Sequence, residues 1–250
     1  MPKVYVIGGP NGAGKSTAAL KLLRRRLDCT EFVNADHIAR GLSPLHPEAV
    51  GIEAGRLMLK RIDELASAGA DFSFEATLAS RTLAPRLKQL RADGFEIHVL
   101  FLWLRDPDLA VARVKARVRS GGHAIPEDVI RRRYSRSISN FLNLYSRLAD
   151  FWEIHDNSLE AAILIAVGGK GREEQVVDER RWTRVQMMKE KPEPTSMFGE
   201  GIREAVAEAI EEHRRMRRSI WVMRDGKVTE IPPDQIKPLN PDQPMPSSLA

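Results

Sequence analysis

The chain has 250 residues, 42% of them hydrophobic, which suffices for one sizeable α/β domain with appendages or at most two small domains. It has no run of about 18 apolar residues and a single cysteine, Cys29, which excludes a membrane-spanning helix, an internal disulfide and a cysteine-based metal cluster. The net charge of +5 comes with only 6% aromatic residues, so a nucleotide is favoured over nucleic acid as ligand. We expect a cytoplasmic protein.

Short apolar segments alternate with amphipathic segments through the first two thirds of the chain. Strands are predicted at 4–7, 32–34, 71–74, 97–104 and 161–167, and helices at 16–26, 47–68, 82–92, 108–119 and 126–149. This alternation is typical of an α/β fold in which helices cover both faces of a parallel sheet.

The pattern changes after about residue 170, where we expect a domain of residues 1–170 to end. Residues 171–188 are expected to add edge strands, and 189–199 contain Lys-Pro-Glu-Pro-Thr-Ser, which is typical of a linker. A C-terminal helix and a hairpin with an Asp-Gly turn are predicted within 200–231. The proline-rich tail, 232–250, is expected to be disordered.

A phosphate-binding loop follows the first predicted strand. Its sequence, Gly9-Pro10-Asn11-Gly12-Ala13-Gly14-Lys15-Ser16-Thr17, contains G-x-x-x-x-G-K-[ST] between a strand and a helix. The glycines let backbone amides surround phosphates, and the start of the helix adds a positive field. Lys15 is expected to reach the β- and γ-phosphates of ATP, and Ser16 to hold Mg²⁺. The predicted fold class is therefore an α/β P-loop NTPase.

The same loop spelling occurs in many ABC-type ATPases, which need a strand that ends in Asp, usually beside Glu, to hold Mg²⁺ and activate water. No predicted strand ends in this way, because the fourth strand continues into Arg105-Asp106-Pro107. The stretch 119–123 only superficially resembles the ABC signature, and an Asn-Lys-x-Asp guanine motif is absent. These observations favour a kinase over an ATPase or a GTPase.

Two acidic residues follow predicted strands at the sheet edge where ligands bind in α/β proteins. Asp36 comes after the second strand and Glu75 after the third. A kinase that phosphorylates a small molecule needs a carboxylate to accept or orient the acceptor hydroxyl. A helix cap remains the alternative for Asp36, and a structural role remains the alternative for Glu75.

Arginines are concentrated in the segment 108–149. Arg113 and Arg117 are four residues apart, hence on one helix face, and Arg131, Arg132 and Arg133 follow the Gly121-Gly122 hinge. A helix–hinge–helix rich in arginine predicts a lid that covers the phosphates and excludes water. The alternative for each arginine is a solvated position or an ion pair.

An ordered set of motifs resembles zeta-toxin-like P-loop kinases, in the bacterial branch often labelled predicted ABC-type ATPase. The set comprises Gly9–Thr17, Asn34-Ala35-Asp36, Phe74-Glu75-Ala76-Thr77-Leu78, Arg113 and Arg117, Gly121-Gly122-His123 and Arg131-Arg132-Arg133-Tyr134. The resemblance covers residues 3 to about 167. It implies a fold similar to nucleoside and shikimate kinases, transfer to the 3′-hydroxyl of UDP-N-acetylglucosamine, and an antitoxin protein as partner.

Site roles also follow from the resemblance. It implies that Asp36 is the base and that Glu75 and Thr77 contact the acceptor; Arg81 is a further candidate for contact with the acceptor. It further implies that arginines of the lid stabilise the transferred phosphoryl group together with Lys15, and the candidates are Arg117, Arg132 and Arg133. Arg113 is the lid candidate for contact with the nucleotide. In the family an arginine commonly comes close after the threonine, whereas here Ala79 and Ser80 follow the Thr77-Leu78 of the motif before Arg81, so the acceptor pocket is expected to differ.

Two other functions stay open at this point. One is a metabolic kinase with no toxin role. The other is a P-loop ATPase or nucleotide-dependent switch that acts through a protein partner, for which the basic run at 211–218 is a candidate surface.

Overall fold

The computed structural model describes residues 1–22, 29–122, 124–189, 210–211, 213–224 and 227–236. The chain divides into two compact units, Met1–Pro192 and Glu193–Ala250. In the part of the chain that is described, no helix has the length and apolar character needed to cross a membrane.

The first unit is built on a seven-stranded sheet. Its strands are β1 (Lys3–Gly8), β2 (Glu31–Val33), β3 (Phe72–Ala76), β4 (Glu96–Trp103), β5 (Phe151–Asp156), β6 (Ile163–Gly169) and β7 (Arg172–Val176). Its helices are α1 (Lys15–Leu22), α2 (Ala35–Leu42), α3 (Gly51–Ser67), α4 (Leu83–Ala92), α5 (Pro107–Arg119), α6 (Glu127–Asn140), α7 (Ser146–Leu148) and α8 (Glu179–Met187). A 3₁₀ turn, Pro47–Val50, precedes α3, and a π-helical turn, Phe141–Tyr145, joins α6 to α7.

The strand order is β2-β3-β1-β4-β5-β6-β7. The first five strands are parallel, and β6 and β7 are antiparallel additions at one edge. From β1 the chain continues to β2, on one side of the sheet, and from the neighbouring β4 it continues to β5, on the other side. The direction of the connections therefore reverses between β1 and β4. Ligands in open α/β sheets bind at such a switch point, beyond the carboxyl ends of the strands. The predicted α/β fold with a mainly parallel sheet is confirmed.

The core lies along β4, whose last five side chains are all buried. Strands in the middle of a parallel sheet are covered on both faces and therefore carry continuous apolar runs. Phe101 is fully buried, and its ring stacks on Phe141 of the π turn with centroids 4.4 Å apart. Phe141 in turn meets Trp152 of β5 edge-on at 5.7 Å. The π turn is thus packed directly against the centre of the sheet.

Strand β5 is absent from the elements predicted from the sequence. The segment predicted as the fifth strand, 161–167, forms β6, the sixth strand, which runs antiparallel to β5. Along Phe151–Asp156, half-buried and buried residues alternate strictly, and two of the half-buried residues are Glu153 and His155. In the sequence, apolar and polar residue types alternate only over residues 152–155, and this short signal did not lead to a predicted strand.

The region 171–188 also differs from the prediction. It contains one edge strand, β7, but residues 182–187 belong to the helix α8, whose first turn is capped by the side chain of Asp178. Strands β8 (Ile220–Arg224) and β9 (Lys227–Ile231) pair as the predicted hairpin in the second unit, followed by a 3₁₀ turn, Pro233–Gln235.

Several predictions fall partly or wholly outside the described residues. These are the end of the first helix after residue 22, His123, the linker at 189–199 beyond its first residue, most of the helix in 200–218, the Asp225-Gly226 turn and the tail after residue 236.

Candidate functional site

The loop Gly9–Ser16, which we call the phosphate loop, lies at the switch point of the sheet. Gly9, Gly12 and Gly14 have φ values of +140°, +78° and +81°, a region that favours glycine. A Cβ at Gly9 would clash with the carbonyl oxygen of Leu102 on β4, and one at Gly12 would lie 2.7 Å from that of Ala110 on α5. The loop therefore fits against both elements only with glycine at these positions.

Asn157, the residue after β5, supports the phosphate loop from behind. Its Nδ2 donates a hydrogen bond of 2.7 Å to the carbonyl of Ala13, and its backbone amide donates one of 2.9 Å to Trp103. Arg113 of α5 donates to the carbonyls of Asn157 and Ser158 at 2.7 and 3.2 Å. Asn157 was not among the predicted site residues, because β5 was not predicted. The alternation along that strand was the signal that could have revealed it.

Lys15 lies over the phosphate loop. Its Nζ donates to the carbonyls of Gly9 and Pro10 at 2.9 and 3.0 Å. Burial of the ammonium lowers the pKa of Lys15 to about 8; the charges of Glu75 and Asp36 raise this pKa, and those of Arg117 and Arg133 lower it. The structure thus brings two predicted carboxylates and two predicted lid arginines into electrostatic range of one lysine.

The phosphate loop fits the polyphosphate of a nucleotide. A lysine ammonium, three glycines and the start of α1 converge there, and the first turn of a helix leaves backbone amides without acceptors inside the helix. Ser16, the second residue of α1, is half-buried and can offer its hydroxyl to a cation held between phosphates. Thr17 follows it in an exposed position.

Glu75 lies on β3 next to the phosphate loop. Its Cα is paired with that of Ile7 on β1, and the residue is half-buried. Its Oε1 is buried and has no hydrogen-bond partner within the described part of the chain. Because a buried carboxylate oxygen without a donor is costly, a ligand that carries a donor fits this position.

Asp36 is the second residue of α2 and is exposed. The cap of α2 is Asn34, whose side chain accepts a hydrogen bond of 3.0 Å from the amide of His37. The residue that caps α2 is therefore Asn34 and not Asp36, for which a cap had been the alternative role. The carboxylate of Asp36 stays open to solvent near Lys15.

The β3–α4 loop (residues 77–82) carries the other two residues expected to contact an acceptor. The Oγ1 of Thr77 accepts a hydrogen bond of 3.4 Å from the amide of Ala79, and the Nε of Arg81 donates one of 3.3 Å to Asn140. Between them Leu78 has a φ of +58°, and its side chain is buried against Gly8, where a Cβ would lie 2.5 Å from the leucine Cδ1.

The predicted lid arginines divide into two groups. Arg131 is exposed and forms ion pairs with Asp108 of α5 at 2.6 Å and with Glu127 at 2.8 Å, so it joins the two helices at the surface. Arg132 and Arg133 are half-buried on α6. The charges of Arg133 and of Arg117 on α5 act on the pKa of Lys15.

The hinge after α5 is tightly wound. Gly121 has a φ of +81°, and the amide of Gly122 donates a hydrogen bond of 2.9 Å back to the carbonyl of Arg117. A left-handed glycine with such a bond ends a helix sharply.

Two aspartates near the ends of β4 and β5 have structural partners. Asp106 caps α5 and accepts from the amide of Leu109 at 2.7 Å. Asp156 is 5% exposed and accepts from the Nε of Arg181 at 2.8 Å and from the amide of Ser158 at 2.9 Å. Neither lies beside a glutamate, so within the described residues neither strand supplies the Asp-Glu pair of a hydrolytic ATPase.

A family whose model is described as "AAA domain" matches residues 4–139, which include the phosphate loop, Glu75 and the lid arginines. The chain belongs to this family. One relative is an uncharacterized protein of Haemophilus influenzae, 35% identical over 127 residues that make up 50% of this chain and 88% of that protein.

Solved structures share the fold of this AAA-domain protein. The AvrRxo1-ORF1:-ORF2 complex with ATP has a TM-score of 0.61 at 15% identity, over 83% of this chain and 71% of that one. The same complex with sulphate ions has a TM-score of 0.61 at 16% identity, over 77% of this chain and 66% of that one. A structure from the PezAT toxin–antitoxin system of Streptococcus pneumoniae has a TM-score of 0.54 at 13% identity, over 85% of this chain and 87% of that one. Zeta-toxin-like proteins are thus structural neighbours, as the sequence predicted.

Replacing Lys15 with methionine should change how stability depends on pH. Since burial lowers the pKa of Lys15 from 10.5 to about 8, the unfolded chain binds more protons between these values, and wild-type stability gains from this group as the pH rises through that window. The Lys15→Met variant lacks this gain. Urea denaturation of both proteins without nucleotide, from about pH 7 to about pH 10, measures the difference.

The matched control is Lys88→Met, which removes an exposed lysine from α4. Parallel stability profiles for wild type and Lys15→Met would contradict the enclosure of the Lys15 ammonium.

Proposed function

We propose that this protein is a kinase that transfers the γ-phosphate of ATP to the hydroxyl of a small molecule, with a nucleotide sugar such as UDP-N-acetylglucosamine as the first acceptor to test. The observation that carries the proposal is the Lys15 ammonium, which is held on the carbonyls of Gly9 and Pro10 within the fields of two carboxylates and two arginines, Glu75, Asp36, Arg117 and Arg133. A phosphoryl-transfer site needs positive charge around the phosphates and a carboxylate near the acceptor, and these residues provide both.

ATP with Mg²⁺ is the proposed nucleotide. The geometry of the phosphate loop, the AAA-domain family and a fold relative described with ATP support it. Gly9–Thr17 would hold the phosphates, Lys15 would reach the β- and γ-phosphates, and the Ser16 hydroxyl would hold Mg²⁺. When bound, ATP would supply the phosphoryl group, and Mg²⁺ would offset part of the negative charge of the phosphates. Arg113 keeps the chain after β5 in place beside this loop through the carbonyls of Asn157 and Ser158.

Asp36 is the proposed general base. Its exposed carboxylate accepts the proton of the acceptor hydroxyl while that oxygen forms a bond to the γ-phosphorus and the bond between the γ-phosphorus and the bridging oxygen breaks, which releases ADP. Glu75, whose Oε1 has no donor among the described residues, would accept a hydrogen bond from another hydroxyl of the acceptor. Thr77 and Arg81 complete the acceptor side from the β3–α4 loop.

Arginines of α5 and α6 are proposed to stabilise the transferred group. Lys15, Arg117, Arg132 and Arg133 would surround the charge that spreads over the phosphoryl oxygens in the transition state. The two helices would also keep water from the γ-phosphate, so that the acceptor is phosphorylated in preference to hydrolysis.

The variant Asp36→Asn tests the role of the base. We expect phosphoryl transfer to fall by about 10²- to 10⁴-fold, because the amide cannot accept the hydroxyl proton. ATP binding should persist, because Asp36 lies outside the phosphate loop. Wild type and variant are incubated with ATP and a panel of nucleotide sugars and small metabolites; mass spectrometry measures the product, and calorimetry measures ATP affinity.

The control for this test is Asp93→Asn, which neutralises an exposed carboxylate at the end of α4. Undiminished transfer by Asp36→Asn would refute the role of Asp36.

Arg131 and Arg133 lie two positions apart on α6, and the same substitution at each one compares two different roles of arginine. Arg133→Ala should lower the transfer rate by about 10²-fold or more, as removal of a group that stabilises transition-state charge does. Arg131→Ala should leave the rate within about threefold of wild type, because it breaks only surface ion pairs with Asp108 and Glu127. Initial rates with saturating ATP measure both. If both variants lost the same fraction of the transfer rate, the specific role proposed for Arg133 would be wrong.

A further inference from the structure

Asn140, the last residue of α6, makes three hydrogen bonds to the β3–α4 loop. Its Nδ2 donates to the carbonyls of Leu78 and Ala79 at 3.0 and 2.9 Å, and its Oδ1 accepts from the Nε of Arg81 at 3.3 Å. The side chain is only 7% exposed. One buried amide thus uses both its donor and its acceptor side on the loop that carries Thr77 and Arg81.

The backbone of this loop depends on side chains from elsewhere. Leu78 has a φ of +58°, which is unfavourable for a residue with a Cβ and persists only where the surroundings hold it. Four successive carbonyls, those of residues 77–80, accept hydrogen bonds from side chains of residues 137–145. The donors are Ser137 to Thr77, Asn140 to Leu78 and Ala79, and Tyr145 to Ser80.

The helix face that holds the β3–α4 loop also carries Arg133, whose charge acts on Lys15 of the phosphate loop. Arg133, Ser137 and Asn140 are spaced i, i+4 and i+7, so they lie on one face of α6. Arg133 acts on the pKa of Lys15 at one end of this face, and Asn140 bonds to the β3–α4 loop about 10 Å further along. The face therefore sets the separation between the phosphoryl side and the acceptor side of the site.

The π turn extends this attachment. It begins at Phe141, directly after Asn140, and its wider i→i+5 winding brings Tyr145 towards the face of Asn140. The hydroxyl of Tyr145 donates a hydrogen bond of 2.5 Å to the carbonyl of Ser80. Because the stack of Phe141 on Phe101 anchors the turn to β4, the loop is tied to the core of the sheet as well as to the lid.

We propose that Asn140 is a positioning residue that fixes the β3–α4 loop to α6 and thereby sets recognition of the acceptor hydroxyl compound. The proposal rests on the proposed function, because it concerns the acceptor side of that site. In this proposal Asn140 acts through the orientation of Arg81 and the backbone of Leu78 and Ala79, to which it is bonded, and not by contact with nucleotide or acceptor. Nucleotide binding, which uses the phosphate loop, is independent of it.

Two substitutions separate this role from a general loss of structure. Asn140→Leu keeps the size of the side chain and removes all three hydrogen bonds. Asn140→Asp keeps an acceptor for Arg81 but turns oxygen lone pairs towards the carbonyls of Leu78 and Ala79. We expect both variants to lower kcat/KM for the acceptor by about 10- to 100-fold, mainly through KM, and to leave the dissociation constant of a non-hydrolysable ATP analogue within about twofold.

The matched control is Asn143→Asp, because Asn143 bonds to Ser139 of its own helical segment. It should keep both the acceptor KM and the ATP-analogue affinity. A double-mutant cycle of Asn140→Leu with Arg81→Gln tests whether the two residues act together. The proposal predicts that the double variant loses little more than either single one, and additive losses would overturn the coupling.

A readout that needs no acceptor distinguishes this proposal from the proposed function. Amide hydrogen exchange of residues 77–81, followed by mass spectrometry, should accelerate at least about tenfold in Asn140→Leu, while exchange in β4 stays as in wild type. If wild type phosphorylates no acceptor, the proposed function fails, and this exchange measurement alone decides whether Asn140 fixes the loop. Unchanged exchange at 77–81, or equal losses of acceptor and ATP-analogue affinity, would overturn the proposal.

Discussion

The enclosed ammonium of Lys15 is the constraint from which the rest of the site follows. Burial disfavours its charge, yet the charge is kept by the carbonyls of Gly9 and Pro10 and by the fields of Glu75 and Asp36. A cation held this way gains most when a polyanion replaces those carbonyls. The two carboxylates stabilise the charge of the lysine in the protein without ligand. In the proposed reaction the same two carboxylates would face the acceptor, so one cluster would serve both sides of the transfer.

Rigid support from behind makes this arrangement possible. Gly9 and Gly12 press on the carbonyls of β4 and α5, Asn157 bonds to the loop from the end of β5, and Asp106 and Asp156 serve in capping and ion pairing. The aspartates after β4 and at the end of β5, where an ATPase would carry its hydrolytic carboxylates, thus have structural roles here. The charges proposed for the chemistry come instead from β3, α2 and the lid.

The sequence was most informative where one residue type has one physical use. Closely spaced glycines followed by a lysine at the start of a helix were enough to predict the phosphate loop. Two residues that are two positions apart on a helix, such as Arg131 and Arg133, point about 160° apart, and the sequence could not tell which one meets Asp108 and which one acts on Lys15. Asn140 carries no signal at all, because its three bonds reach residues about 60 positions away. Asn157 was not predicted either, because the strand before it, β5, was not predicted and its bond reaches Ala13, far away in the sequence.

The fate of the γ-phosphate tests the central claim most directly. Purified protein is incubated with ATP labelled in the γ-phosphate, Mg²⁺ and pooled nucleotide sugars and small hydroxyl metabolites, and the label is divided between organic product and inorganic phosphate. The account predicts that most of the label enters one phosphorylated hydroxyl compound, and that hydrolysis without the acceptor pool is slower by at least about tenfold. Label that appears only as inorganic phosphate, at a rate that the pool does not change, would contradict it.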